Sequence, residues 1–345
     1  MKNIITKALY ELEKEKDIML VTIVGSEGSA PRSSGSMMLV GTNGRILGSI
    51  GGGSIEYNSE KRAVALLAEK SSGISTFELT AEAKDNIGMV CGGNADVLFK
   101  FISHEDKEAL EVLKMTAQAL SLHENAWLIQ SLQGNSIALL NESHHIAAAT
   151  APEETELFCA PGFINRNGYF SMPLPRGERA LIFGGGHIAQ ALVPILSSVD
   201  FRPVVMDNRE EYSDPALFKG AEKVMKIDYL DIDSYIEITP EDYIVVMTNG
   251  HSHDYEVQLQ VLKKNFAYIG VVGSAKKTAA VNEKLHACGI TEEKTAAVHT
   301  PIGTKIKAAT PEEIAISIAG EMILERALRR ESQGIGKEAG CPMHR

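Results

Sequence analysis

Apolar residues between Met1 and Lys16 recur at helical spacing, which predicts an amphipathic opening helix. From Ile18 to Val24 the pattern changes to a β-branched run, the mark of a strand. Met37–Val40 and Ile46–Gly48 read as a short hairpin turned at Thr42-Asn43-Gly44. The pattern then predicts a helix over Ile55–Lys70, strands at Thr76–Leu79 and Ala95–Ile102, and a helix over Glu105–Leu120. Ala126–Gln133 and Ser136–Leu140 read as a second hairpin around Gln133-Gly134-Asn135. From there to Pro175 the signal fades, and Met172–Gly177, with two prolines and a glycine, is the best linker.

After the linker the alternation becomes regular. Strands are predicted at Arg179–Phe183, Arg202–Met206, Tyr243–Met247 and Tyr268–Val272, with helices at His187–Ser197 and Asp254–Lys264. Such alternation implies a parallel sheet covered by helices on both faces. A last helix opens at Thr310-Pro311-Glu312-Glu313, with threonine at the cap, proline at the first turn and glutamate placed for a capping box, and runs to about Arg330. The expected fold is therefore α/β: an N-terminal Gly-rich α/β domain followed by a C-terminal Rossmann-like, doubly wound parallel-sheet domain. The expected boundaries are 1–125, a connecting segment with a hairpin at 126–177, the Rossmann-like domain at 178–330, and a loose tail at 331–345.

Bulk properties narrow the function classes. At 345 residues two domains are the default, and an apolar fraction of 44% is enough for sizeable cores. A net charge of −11 argues against nucleic acid as a partner. No run approaches the ~20 apolar residues of a membrane span, and Met1–Lys16 lacks the apolar centre of a signal peptide, so a cytoplasmic protein without a membrane partner is expected. Cys91, Cys159, Cys288 and Cys341 are scattered without a CxxC pair, as suits free thiols in a reducing compartment.

Three Gly-rich segments lie within the first domain. Ser29-Ala30-Pro31-Arg32 offers a guanidinium fork suited to phosphate. Gly51-Gly52-Gly53-Ser54-Ile55-Glu56 runs three glycines into a helix, the form of a backbone nest for an anion, and Glu56 is placed to cap the helix or to hold a polar ring edge. Cys91 sits before Gly92-Gly93, where a thiol can be activated for sulfur or soft-metal chemistry or can be a small buried hydrophobe. Turn chemistry alone explains one such run more readily than three.

The second domain has its own candidates. Gly184-Gly185-Gly186-His187-Ile188-Ala189 follows a strand and opens a helix, as a dinucleotide fingerprint requires. Gly184, Gly186 and His187 would meet a pyrophosphate, and Asp207, about 20 residues on, would accept from a ribose hydroxyl, with Arg209 close by. The alternative is a Rossmann domain whose loop serves only structure or partner docking. His251, His253 and Asp254 form no complete metal signature, so Asp254 reads first as a cap and no metal site is assigned. Gly273-Ser274-Ala275-Lys276-Lys277 suits a phosphate or a solvated helix start.

Taken together, these segments resemble the XdhC/CoxI family. The matching pieces are Ser29–Val40, Gly48–Glu56, Cys91-Gly92-Gly93, Phe183–Leu192, Val204–Arg209, Tyr268–Lys277 and Thr300–Ile323, covering roughly 10–100 and 178–325. The resemblance implies an accessory factor that binds molybdenum cofactor, assists its sulfuration with a cysteine desulfurase, and delivers it to a xanthine-dehydrogenase-type apoenzyme. The pterin phosphate would dock on Gly51–Gly53 with Arg32, and Cys91 would lie near the dithiolene or its molybdenum. Asn249 stands where the family pattern is histidine-rich. The chain has no cysteine clusters for iron–sulfur centres and is far too short for a complete xanthine dehydrogenase. No catalytic residue is assigned. NAD(P) or another nucleotide at the Rossmann loop, and a homodimer, are further expectations. The second function class is a stand-alone NAD(P)-dependent oxidoreductase in which Gly184, Gly186 and Asp207 hold the nucleotide and His251 or His253 moves a proton.

Overall fold

The structure, a computed structural model, describes residues 1–28, 34–78, 93–143, 146–147 and 152–333. Two compact units divide the chain, Met1–Arg176 and Gly177–Gln333.

The first unit opens with α1 (Lys2–Glu13), followed by β1 (Ile18–Gly28), β2 (Met37–Gly41), β3 (Gly44–Gly48), α2 (Gly53–Ala68), β4 (Gly73–Glu78), β5 (Gly93–Ile102) and α3 (Lys107–Leu122). Its first sheet is antiparallel in the order β3-β2-β1-β5-β4. The pleat sends alternate residues to opposite faces. On one face Met19, Val21 and Ile23 meet Ile55, Ala63 and Leu66 of α2. On the other, Ile18, Leu20 and Leu98 meet α1 and α3.

The segment after α3 is a second antiparallel sheet rather than a lone hairpin. It comprises β6 (Ala126–Ser131), β7 (Ile137–Asn141), β8 (Ile146–Ala147), β9 (Ile164–Arg166) and β10 (Tyr169–Pro173), in the order β8-β7-β6-β10-β9. Leu128, Leu139, Phe170 and Met172 join the core that α1 and α3 share with the first sheet. Polar side chains cross the same space. Lys100, fully buried, donates to the Ser131 carbonyl at 2.5 Å and the Gly134 carbonyl at 2.6 Å. Gln130 donates to Thr22 at 3.4 Å.

The second unit alternates as the sequence pattern implies. It runs β11 (Glu178–Phe183), α4 (His187–Ser198), β12 (Phe201–Asp207), β13 (Lys223–Lys226), β14 (Tyr243–Val246), α5 (His251–Val261), β15 (Tyr268–Val271), α6 (Ala275–Ala287), α7 (Glu292–Ala296) and α8 (Pro311–Ser332). All its strand pairs are parallel, in the order β13-β12-β11-β14-β15. Renumbered from β11 this is 3-2-1-4-5, the order of dinucleotide-binding sheets. α4 and α8 cover one face, and α5 and α6 cover the other. Burial on both faces explains why β11, β12 and β14 read as continuous apolar runs. The capping box at Thr310 and Glu313 forms as the sequence implies.

Candidate functional site

In the first unit, topology brings the flanks of two Gly-rich segments and the loop before α2 to one end of the first sheet. β1 ends at Gly28, which pairs with Gly93 at the start of β5. β4 ends at Glu78, opposite Asn94. Met38, near the start of β2, pairs with Gly48 at the end of β3, where the chain turns into the loop before α2. The residues flanking Ser29–Ser33 and Leu79–Gly92 therefore share a sheet end with the Ser49–Gly52 loop. Ser29, Pro31, Arg32 and Cys91 themselves lie outside the described residues.

The loop before α2 is built around Glu56. Gly51, Gly52 and Gly53 take φ of 137°, 73° and 59°, a succession that residues with a Cβ rarely adopt. This winding aims amides at one carboxylate. Glu56 accepts from the Ile50 N–H at 3.3 Å, from the Gly52 N–H at 3.2 Å, from the Ser49 hydroxyl and from the Arg45 guanidinium. The Gly51 N–H donates to the Ser49 oxygen at 3.3 Å. Burial pushes the Glu56 carboxyl up, but the Ser49 and Gly52 hydrogen bonds and the Arg45 charge outweigh it and hold the group below its ordinary value. The nest expected to receive a phosphate is thus filled by the chain's own carboxylate. Beyond it, among the described residues, the Gly53 and Ser54 N–H groups at the start of α2 have no acceptor. Sequence reading missed Arg45 and Ser49, whose contribution depends on the β2–β3 turn placing them against the helix start.

In the second unit the Gly-rich turn lies between β11 and α4. Gly184 has φ +113°, and a Cβ there would collide with the Met247 carbonyl. A Cβ on Gly185 would collide with the Tyr212 carbonyl, whereas one on Gly186 would meet nothing within 4 Å. The open position is thus Gly186, at the cap of α4, followed by the exposed His187.

Asp207 differs from its expected role. Its carboxylate accepts from the Gly185 N–H at 2.7 Å and from the Arg209 N–H, Nε and a terminal nitrogen, each at 2.9 Å. Four donors fill the roughly four lone-pair sites of a carboxylate. Burial raises its pKa, but Arg209 and the Gly185 amide overcome that, so the net shift is downward. Asp207 therefore braces the Gly-rich turn and Arg209, and it has no acceptor left for a ribose hydroxyl. Arg209 in turn stacks on Tyr212, 3.8 Å from the ring centre.

Nearby, Asp254 accepts from the Thr248 N–H at 3.1 Å and the Thr248 hydroxyl at 2.6 Å, which ties the loop between β14 and α5. His253 lies 2.8 Å from Glu256 through Nδ1, and its Nε2 is 3.4 Å from the Asn208 amide nitrogen. This assigns Nδ1 as the donor to the carboxylate and Nε2 as an acceptor. Among the described residues no three His, Cys, Asp or Glu side chains gather as a metal-ligating cluster. Past the end of β15, a shallow cleft lies between α5 and α6, lined by Asp254, Gln258, Thr278, Asn282 and Thr300. No helix among the described residues is long and apolar enough to cross a membrane.

Comparison with known proteins agrees with this architecture. A crystal structure described as a xanthine dehydrogenase from Bacillus halodurans superposes with a TM-score of 0.79 at 24% identity, covering 95% of this chain and 97% of that one. A probable xanthine dehydrogenase subunit of Bacillus subtilis is 27% identical over 323 residues, covering 91% of this chain and 95% of the relative. The molybdenum cofactor insertion chaperone PaoD of Escherichia coli is 24% identical over 345 residues, covering 96% and 90% of the two chains. The model of the XdhC and CoxI family matches residues 12–78, and that of the XdhC Rossmann domain matches residues 180–322. With both of its characteristic domains matched in order, over more than half its length, the chain belongs to the XdhC and CoxI family.

Proposed function

We propose that this protein is a xanthine dehydrogenase accessory factor that carries molybdenum cofactor as cargo, assists its sulfuration and inserts it into a xanthine-dehydrogenase-type apoenzyme. The observation that carries the reading is that the residues flanking Ser29–Ser33 and Leu79–Gly92 share one end of the first sheet with the Ser49–Gly52 loop. Similarity to an insertion chaperone along nearly the whole chain supports the same cargo.

In this reading the pterin phosphate meets Arg32 and the Gly53 and Ser54 amides at the start of α2, next to the nest and not within it. An N–H cluster at a helix start favours an anion. Glu56, ionised and held by four donors, keeps the loop in shape beside the cargo. Cys91 stands near the dithiolene and its molybdenum, where a cysteine desulfurase would deliver sulfur. The Rossmann unit offers Gly186 and His187 to the apoenzyme or to a nucleotide. NAD(P) is the weaker assignment, because Asp207 has no lone pair to spare for a ribose. The second function class, a stand-alone oxidoreductase, loses support for the same reason. A homodimer working in the cytoplasm completes the proposal.

The test is retention. The purified protein is mixed anaerobically with molybdenum cofactor released from a donor enzyme and re-isolated by gel filtration, and molybdenum and pterin are measured in the protein peak. Near-stoichiometric retention is expected, falling at least about tenfold in Arg32→Ala, as loss of a charge-assisted phosphate contact implies. Cys91→Ala is expected to lose retention of molybdenum more than of pterin. Retention unchanged in both variants would remove the assigned site, and no retention by the unaltered protein would remove the cargo.

A further inference from the structure

α8 is apolar on two sides. Its inner side, with Ala315, Ile318, Ala319 and Met322, is fully buried in the core that α4 shares. Its outer side carries Ile316, Ile323, Leu324, Ala327 and Leu328, at the spacing of one helix face. On that side Ile316 is 56% exposed, Ile323 38%, Leu324 51% and Leu328 50%. A soluble surface helix normally turns charged residues outward, and a helix apolar all round is normally covered.

We infer that this stripe is the interface with a second copy of the same chain, packed antiparallel across a two-fold axis near the middle of α8. The charges select that occupant. The first turn of α8 is acidic, with Glu312 and Glu313, and the last is net basic, with Arg329 and Arg330 against the single carboxylate of Glu331. An antiparallel pair brings Glu312 of each copy to Arg330 of the other and opposes the two helix dipoles, whereas a parallel pair sets like charge against like. Glu312 is exposed. Arg330 bonds Glu178 at 2.7 Å yet keeps 48% of its side chain exposed, so it can accept a second carboxylate. The stripe, from Ile316 to Leu328, is centred within about one residue of the midpoint of Glu312 and Arg330. The inference gives the homodimer of the proposed function its interface; it uses the second unit alone and stands or falls separately from the cargo.

Sedimentation velocity on the full chain, without cofactor, tests it. The unaltered protein is expected at twice its 37.3 kDa chain mass in the micromolar range. Leu324→Glu is expected to run as a monomer with an unchanged far-UV spectrum. Glu312→Arg and Arg330→Glu are each expected to weaken the dimer by about fivefold, and the doubly reversed variant to regain most of the loss. A monomer for the unaltered protein would overturn the inference, as would a dimer indifferent to Leu324→Glu. Charge reversals that fail to rescue each other would overturn the antiparallel arrangement.

Discussion

Lys100 and Asp207 are buried charges with opposite consequences. Asp207 is fully answered by its donors, and its loss of solvent is offset by Arg209 and the Gly185 amide. Lys100 has two carbonyl partners and no counter-charge among the described residues, and burial lowers it to about 8. The sign of its linkage follows. Below pH 8 folded and unfolded chains both hold the proton, and the cost of burying the charge is borne in full. Between about 8 and the ordinary lysine value near 10.4, the unfolded chain binds more protons than the folded one, so stability rises with pH. Urea unfolding at pH 7 and pH 10 is expected to show the unaltered protein gaining about 2–3 kcal/mol relative to Lys100→Met across that window. Parallel pH curves for the two proteins would contradict a depressed Lys100. None of this was legible in the sequence, where Lys100 is one lysine in a strand and its carbonyl partners are more than 30 residues away.

At the scale of elements, the turn between β11 and α4 separates glycines that look alike in the sequence. Gly184 needs both its positive φ and its missing Cβ, whereas Gly186 has φ −68° and free space. Gly184→Ala is expected to cost at least about 3 kcal/mol, since strain and collision add, while Gly186→Ala stays within about 1 kcal/mol. Thermal unfolding of the two variants measures the contrast, and equal midpoints would contradict the turn geometry. The nucleotide-type turn was visible because its glycines follow an apolar strand and open a helix. The occupancy of Asp207 was not, because its bond to Gly185 spans 22 residues and closes only when β11 and β12 lie side by side. Likewise, three glycines before a helix announced a nest, but only the structure shows Glu56 occupying it. β13 escaped the sequence reading because Lys223 and Lys226 bound a four-residue edge strand, as is usual where an edge is kept from pairing further.

Over the whole molecule, the parallel second unit was readable, whereas of the second antiparallel sheet only the β6–β7 hairpin was. Parallel strands buried on both faces write long apolar runs into the sequence. β8 and β9 have two and three residues, too few for an alternating pattern to register. That sheet takes much of its stability from the core it shares with α1, α3 and the first sheet. Its nonlocal origin explains why 126–177 looked like a connector. The first unit sets the flanks of its Gly-rich segments at one sheet end, and the second braces a Rossmann turn, the arrangement on which the proposed cargo role rests. The most direct test of that account is transfer. A cofactor-free xanthine-dehydrogenase-type apoenzyme is incubated with sulfurated molybdenum cofactor, either free or preloaded on this protein, and the appearance of dehydrogenase activity is followed. The account predicts faster and more complete activation from the preloaded protein, lost when Arg32→Ala replaces it. Activation no better than with free cofactor would contradict it.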